Sequence, residues 1–298
     1  MQSLWMLVSA LLFALMAACV KLASAHYGTA EIVLFRSLIG VVGLYAYARI
    51  AGQPLATDVA GMHLRRSALG VGALALWFYA LGALPLGTAM TLNFSSPLFS
   101  TTFVIAAALA AGRRVPWLLA CCVGAGFAGV ILILRPAFGA GEEVAALVGL
   151  LSGFLSAVAY WHVRELGRSG EPEWRTVFYF SLCGSALGLI GALPEVLTRK
   201  HTVEGFLALV AVGVCATLAQ LAMTRAYGRG RTVLTANLQF SAIVFAAVLG
   251  IALFGESVAD TGWLGIGIII ASCIVATALV ARRQPAQILD STTATADK

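Results

Sequence analysis

Apolar residues run along this chain in ten long stretches parted by short polar breaks: 3–24, 30–50, 66–84, 87–111, 115–134, 145–166, 175–197, 204–226, 231–254 and 260–281. A helix needs about 20 apolar residues to cross a bilayer core. Runs this apolar on every face predict membrane spans rather than half-buried soluble helices. The expectation is an all-α integral membrane protein of ten transmembrane helices, with the first stretch a retained span. The polar residues 284–298 predict a disordered cytoplasmic tail.

The pattern also repeats. Shifted by 143 residues, Ser9 falls on Ser152, Ala14 on Ala157, Phe35 on Phe178, Gly112 on Gly255 and Gly124 on Gly267. Residues 1–143 thus read as one five-helix repeat and 144–283 as a second. An odd number of spans per repeat turns the second copy upside down.

Charge sets the orientation. Of the 19 Lys and Arg residues, those between spans on the N-terminal side of the membrane include Arg49, Arg65, Arg66, Arg113, Arg114, Arg164, Arg225 and Arg283. The other side keeps only Lys21, Arg135, Arg199 and Lys200, and Arg36 lies inside a span. This bias predicts cytoplasmic N- and C-termini. Composition agrees: 60% of residues are hydrophobic and 11% charged, where a soluble domain has about a quarter charged. The net charge of +6 follows the span ends, so it points to topology and not to nucleic acid.

Polar and aromatic residues inside the spans sketch a cavity. Pro97 stands mid-span and removes the N–H that would bond the carbonyl of Asn93, so a helix break or hinge is expected there, in the first repeat only, since the paired position is Phe240. Thr88, Thr91, Ser95 and Thr102 share a helical face with Phe99 between them, and Ser152, Ser156 and Tyr160 share another. Trp77, Phe78 and Tyr79 are consecutive, as are Tyr160, Trp161 and His162. Gln220, Asn237 and Gln239 are large amides that are costly to leave unpaired in a membrane. Arg36 reads as a snorkelling side chain or as a group that attracts a carboxylate. No acid stands near a span centre, which argues against proton-coupled export of cations.

The ten-span inverted duplication, the Asn93–Pro97 segment and the Gly255-Glu256 turn resemble the drug/metabolite transporter superfamily, EamA type, over essentially residues 1–283. Within it the chain is similar to the bacterial YddG-type aromatic amino-acid exporters. That resemblance implies a multi-pass transporter of the bacterial inner membrane that exports aromatic and other neutral amino acids. Its substrate-binding residues would be Trp77, Tyr79, Asn93, Ser95, Phe99, Tyr160, Trp161, His162, Gln220 and Gln239.

A second reading uses the same stacking surfaces for a broad exporter of purines, nucleosides or flat xenobiotics such as methyl viologen. The sequence lacks a nucleotide loop, a metal-ligand cluster and a nucleophile–base pair, so no enzyme and no cofactor are expected. It carries no ring of charge such as a selective pore needs. Transport is expected to run as facilitated diffusion, with His162 the one candidate proton relay. The implied partners are a small-molecule substrate and the lipid bilayer, for a monomer.

Overall fold

The computed structural model describes residues 2–112, 117–140, 142–196, 202–229, 235 and 238–296. After a 3-10 turn at Gln2–Leu4 come α1 (Trp5–Ser24), α2 (Thr29–Ile50), α3 (Ala60–Ala83), α4 (Leu86–Asn93) and α5 (Ser96–Ala110). They are followed by α6 (Trp117–Ala140), α7 (Glu143–Arg168), α8 (Glu173–Val196) and α9 (Val203–Arg229). The last two are α10 (Ser241–Phe254) and α11 (Asp260–Ala296). Seven segments are long and apolar enough to cross a membrane, Leu86–Ala110 counted through its break, and Trp117–Leu132, Ser241–Phe254 and Asp260–Ala276 are shorter apolar helices. The final helix continues to Ala296, past the polar boundary that the sequence marks as a tail. The doublet Arg113-Arg114 and Asn237 lie outside the described residues.

The packing is the same when the halves are exchanged. Shifting by 143 residues turns α1, α2 and α3 into α7, α8 and α9, the α4–α5 pair into α10, and α6 into α11. The pairing α1 with α9 is matched by α7 with α3, and α1 with α10 by α7 with α4 and α5. Similarly α2 with α9 is matched by α8 with α3, while α2 meets α8 and α6 meets α11 directly.

Small residues let these helices approach, as membrane interfaces favour. A Cβ on Gly188 of α8 would lie 2.7 Å from the backbone nitrogen of Leu34 on α2. Gly40 of α2 faces Ser181 of α8, and Gly184 of α8 faces Ser37 of α2, each leaving under 3 Å for a Cβ. The core that results runs through α1, α3, α4, α9 and α10, with Phe13, Met16, Trp77, Phe78, Met90, Met223 and Phe240 buried in it.

Candidate functional site

The site is organised by the helix break. Helix α4 stops at Asn93 and α5 starts at Ser96, with Pro97 in its first turn. Proline suits that position, where its missing N–H would bond nothing. The Ser95 hydroxyl donates to the Leu92 carbonyl at 2.7 Å, closing the break. Gly153 of α7 packs against it: a Cβ there would fall 2.5 Å from the Leu92 oxygen and 3.1 Å from the Asn93 oxygen. The Asn93 amide donates to Ser152 Oγ at 3.0 Å and Ser156 Oγ at 3.2 Å, so α7 holds the Asn93 side chain by its serine stripe.

The second half is also interrupted, against the expectation of a break in one half. Helix α10 begins only at Ser241, with Phe240 at its cap. The Ser241 hydroxyl donates to the Leu238 carbonyl at 2.6 Å, as Ser95 does to Leu92. Here no proline stands at the interruption.

Beside the α4–α5 break lies a cavity lined by Phe13, Arg66, Gly70, Leu74, Trp77, Asn93, Phe94, Ala159, Tyr160, Phe180 and Gln220. Its volume is about 40 Å³. Trp77 stands in its wall at edge-to-face angles to Phe13 (centroids 6.2 Å apart) and Phe94 (6.0 Å). The buried Trp77 Nε1 donor has no hydrogen-bond partner among the described residues. Tyr160 stacks on Tyr227 at 5.8 Å, and the Tyr227 hydroxyl donates to Gln239 Oε1.

Of the ten residues expected at the site, four line this cavity: Trp77, Asn93, Tyr160 and Gln220. Ser95 closes the break, and Gln239 stands behind Tyr160 through Tyr227. Phe99 belongs to a separate aromatic group with Phe127 and Phe154, both centroids at 5.5 Å. Tyr79 and Trp161 point outward, 45% and 58% exposed. On its helix Trp161 is turned about 100° from Tyr160, and Tyr79 about 200° from Trp77, which carries both away from the cavity. His162 and Trp161 both bond the Glu165 carboxylate, each at 3.0 Å, on the outer face of α7. Thr91 and Thr102 spend their hydroxyls on Gly87 and Leu98 carbonyls of their own helix.

Two arginines were misread from sequence. Arg66 looked like half of a surface doublet at a span end. It is 3% exposed, lies in the cavity wall, and its Nη2 donates to Gln220 Oε1 at 3.5 Å. Arg36 does not snorkel: it is also 3% exposed. The signal that separates Arg66 from Arg65 is its place on the buried face of α3, with Ser67, Gly70 and Leu74.

Comparison with known proteins agrees with this architecture. The profile of the EamA-like transporter family matches residues 1–135 and 144–278. The pseudopaline exporter CntI of Pseudomonas aeruginosa is 34% identical over 267 residues, spanning 88% of this chain and 90% of that protein. A riboflavin transporter of Vibrio cholerae is 29% identical over 276 residues, spanning 91% and 90%. An uncharacterized transporter of Helicobacter pylori is 26% identical, spanning 89% and 91%. One crystal structure of 19% identity shares the fold with a TM-score of 0.64 over 93% of this chain and 98% of that one.

Proposed function

The chain belongs to the EamA-like transporter family, and from that premise we propose that it exports a small organic metabolite by alternating access through the cavity between Trp77, Asn93, Tyr160 and Gln220. It is a multi-pass inner-membrane transporter and not an enzyme. The observation that carries the proposal is the lining of the cavity: aromatic walls from Phe13, Trp77, Phe94, Tyr160 and Phe180, with amides from Asn93 and Gln220. Such a surface suits a flat or apolar body that bears a polar end.

The two halves supply the mechanism. Their packing is preserved on exchange, and inverted repeats make inward- and outward-open states by swapping the shapes of their halves. A volume of about 40 Å³ is well under the roughly 300–1,000 Å³ of small-molecule sites. Cargo of that size enters as the halves part at the α4–α5 break.

Relatives are named for pseudopaline and for riboflavin, so cavity side chains and not the fold set the cargo. Aromatic and other neutral amino acids fit the aromatic wall and are the first candidates. Purines and nucleosides would stack equally well, whereas the buried Arg66 disfavours a dication such as methyl viologen.

The test is counterflow of labelled phenylalanine, adenine and riboflavin into proteoliposomes preloaded with the same compound. At least one should show saturable counterflow. Trp77→Ala should lower that rate about tenfold, consistent with roughly 1–2 kcal/mol for a lost aromatic contact and its burial. Tyr79→Ala and Trp161→Ala should leave it unchanged. Full activity in a folded Trp77→Ala protein would remove the cavity assignment.

A further inference from the structure

Two guanidinium groups are buried in this bundle with no carboxylate beside them. Arg36 of α2 and Arg66 of α3 both lie over the ring of Phe180 on α8, with Cζ 5.0 Å and 4.0 Å from its centroid. Nε and Nη1 of each make no hydrogen bond among the described residues. The ion pairs among the described residues are elsewhere: Glu171 with Arg175 and His63, Glu256 with Lys21, and Glu165 with His162. A ring face offsets only part of what a cation loses on leaving water.

The arrangement is made for Arg66 to stay. One turn further along α3, Gly70 leaves the space that the guanidinium occupies. A Cβ there would fall 2.2 Å from Arg66 Nη1 and 3.0 Å from the Phe180 ring. Arg66, Gly70 and Phe180 all line the cavity described above. The further unpartnered group in that wall, Trp77 Nε1, is also a donor. The wall thus offers positive charge and N–H groups and asks for acceptors. An ionisable residue kept inside a membrane marks a substrate path.

We propose that Arg66, supported by Arg36 over the same ring, binds a carboxylate of the cargo, so that the transported molecule is an organic anion or zwitterion with a flat or apolar body. This rests on the carrier reading of the same cavity. The planar guanidinium presents paired N–H groups that match the two carboxylate oxygens, and the Trp77 indole N–H supplies a further donor. Phe13, Trp77 and Phe94 receive the apolar body. Arg36, behind Phe180, raises the positive potential without lining the cavity. A neutral body alone would leave both charges uncompensated.

The experiment uses three probes of one shape, 3-phenylpropionate, 3-phenylpropanamide and phenethylamine, titrated against the purified full-length protein and read as thermal stabilisation. In the wild type the carboxylate should bind about tenfold or more tightly than the amide, as expected for charged hydrogen bonds, and the amine most weakly. Gly70→Ala displaces the flexible end of Arg66 and asks the Phe180 ring, 3.0 Å from the new Cβ, to give by a few tenths of an ångström, so it should fold with a small loss of stability and lose most of that preference. Arg66→Met should lose all of it and, without ligand, melt above the wild type, because an uncompensated buried charge has gone. Arg36→Met should lose less.

Equal binding of carboxylate and amide by the wild type would overturn the proposal and leave the carrier reading standing. No binding of any probe, together with no counterflow of any candidate, would overturn both. A ligand-free Arg66→Met protein that melts lower and keeps the carboxylate preference would show a purely structural arginine. Should Arg66→Met fail to fold, the wild-type ranking and Gly70→Ala decide alone.

Discussion

Replacing Gly153 with alanine should abolish most transport in a protein that still inserts into the membrane. The added Cβ would meet the Leu92 carbonyl oxygen at 2.5 Å, Ser95 Oγ at 3.0 Å and the Asn93 carbonyl oxygen at 3.1 Å. Two of these are backbone atoms at a helix break, so they cannot swing aside as a side-chain tip can. Helix α7 must retreat, and overpacking of this kind costs about 1–3 kcal/mol. The retreat also draws Ser152 and Ser156 away from the Asn93 amide, whose two hydrogen bonds sit one residue before and three after Gly153. Cavity geometry and the hinge are therefore lost together. Gly149→Ala is the control, because a Cβ there meets only Leu92 and Ala80 side-chain atoms at 3.2 Å and beyond. Counterflow should fall at least about tenfold for Gly153→Ala, in line with that cost, and stay within a small factor of wild type for Gly149→Ala.

Loss of the Glu256 charge should open one end of the bundle. Glu256 follows Gly255, whose left-handed φ of 62° ends α10, and its carboxylate folds back over Gly250, where a Cβ would lie 2.4 Å from Oε2. There Oε2 accepts the Leu86 N–H at 2.7 Å, capping α4, and Oε1 pairs with Lys21 Nζ at 2.5 Å. Lys21 also donates to the Leu84 carbonyl at 2.7 Å. One carboxylate thus ties α1, the α3–α4 connection and α10 at the end that the charge bias places outside. Both side chains are largely shielded, at 21% and 11% exposed, so the pair is worth more than a surface salt bridge. The positions 143 residues away carry Arg164 for Lys21 and Arg113 for Glu256. Like charges cannot form this latch, so it belongs to one end only. Glu256→Gln keeps an acceptor for Leu86 but leaves Lys21 unpaired, at a cost of about 1–3 kcal/mol. That energy moves a two-state equilibrium about ten- to a hundredfold. Counterflow should fall and the melting temperature should drop. Unchanged transport in Glu256→Gln would mean that this end does not gate.

What the sequence made legible follows from where physics leaves few choices. Hydrocarbon demands long apolar runs, so the spans could be read directly. A mid-span proline demands a break, and α4 does end at Asn93. Trp77, Asn93, Tyr160 and Gln220, large polar or aromatic groups deep in their spans, line one cavity. Tyr79 and Trp161 lie outside it because two residues or one along a helix turn a side chain by about 200° or 100° from Trp77 or Tyr160. The break before Ser241 was hidden because no proline marks it in the sequence. Arg66 was hidden by its neighbour: an Arg65-Arg66 doublet at a span end has the look of a cytoplasmic anchor, and only the packing of α3 against α7 and α8 shows that one arginine faces inward.

The central claim is that the cavity beside Trp77 is reached by cargo from each side in turn. The most direct measurement places one cysteine in its wall, Ala159→Cys, in a protein whose six native cysteines are replaced. A charged, membrane-impermeant thiol reagent is then applied to right-side-out and to inside-out vesicles. Alternating access gives labelling from both sides, suppression from both by saturating cargo, and faster labelling from outside when Glu256→Gln is added. Labelling that no cargo changes, or none from either side, would contradict it.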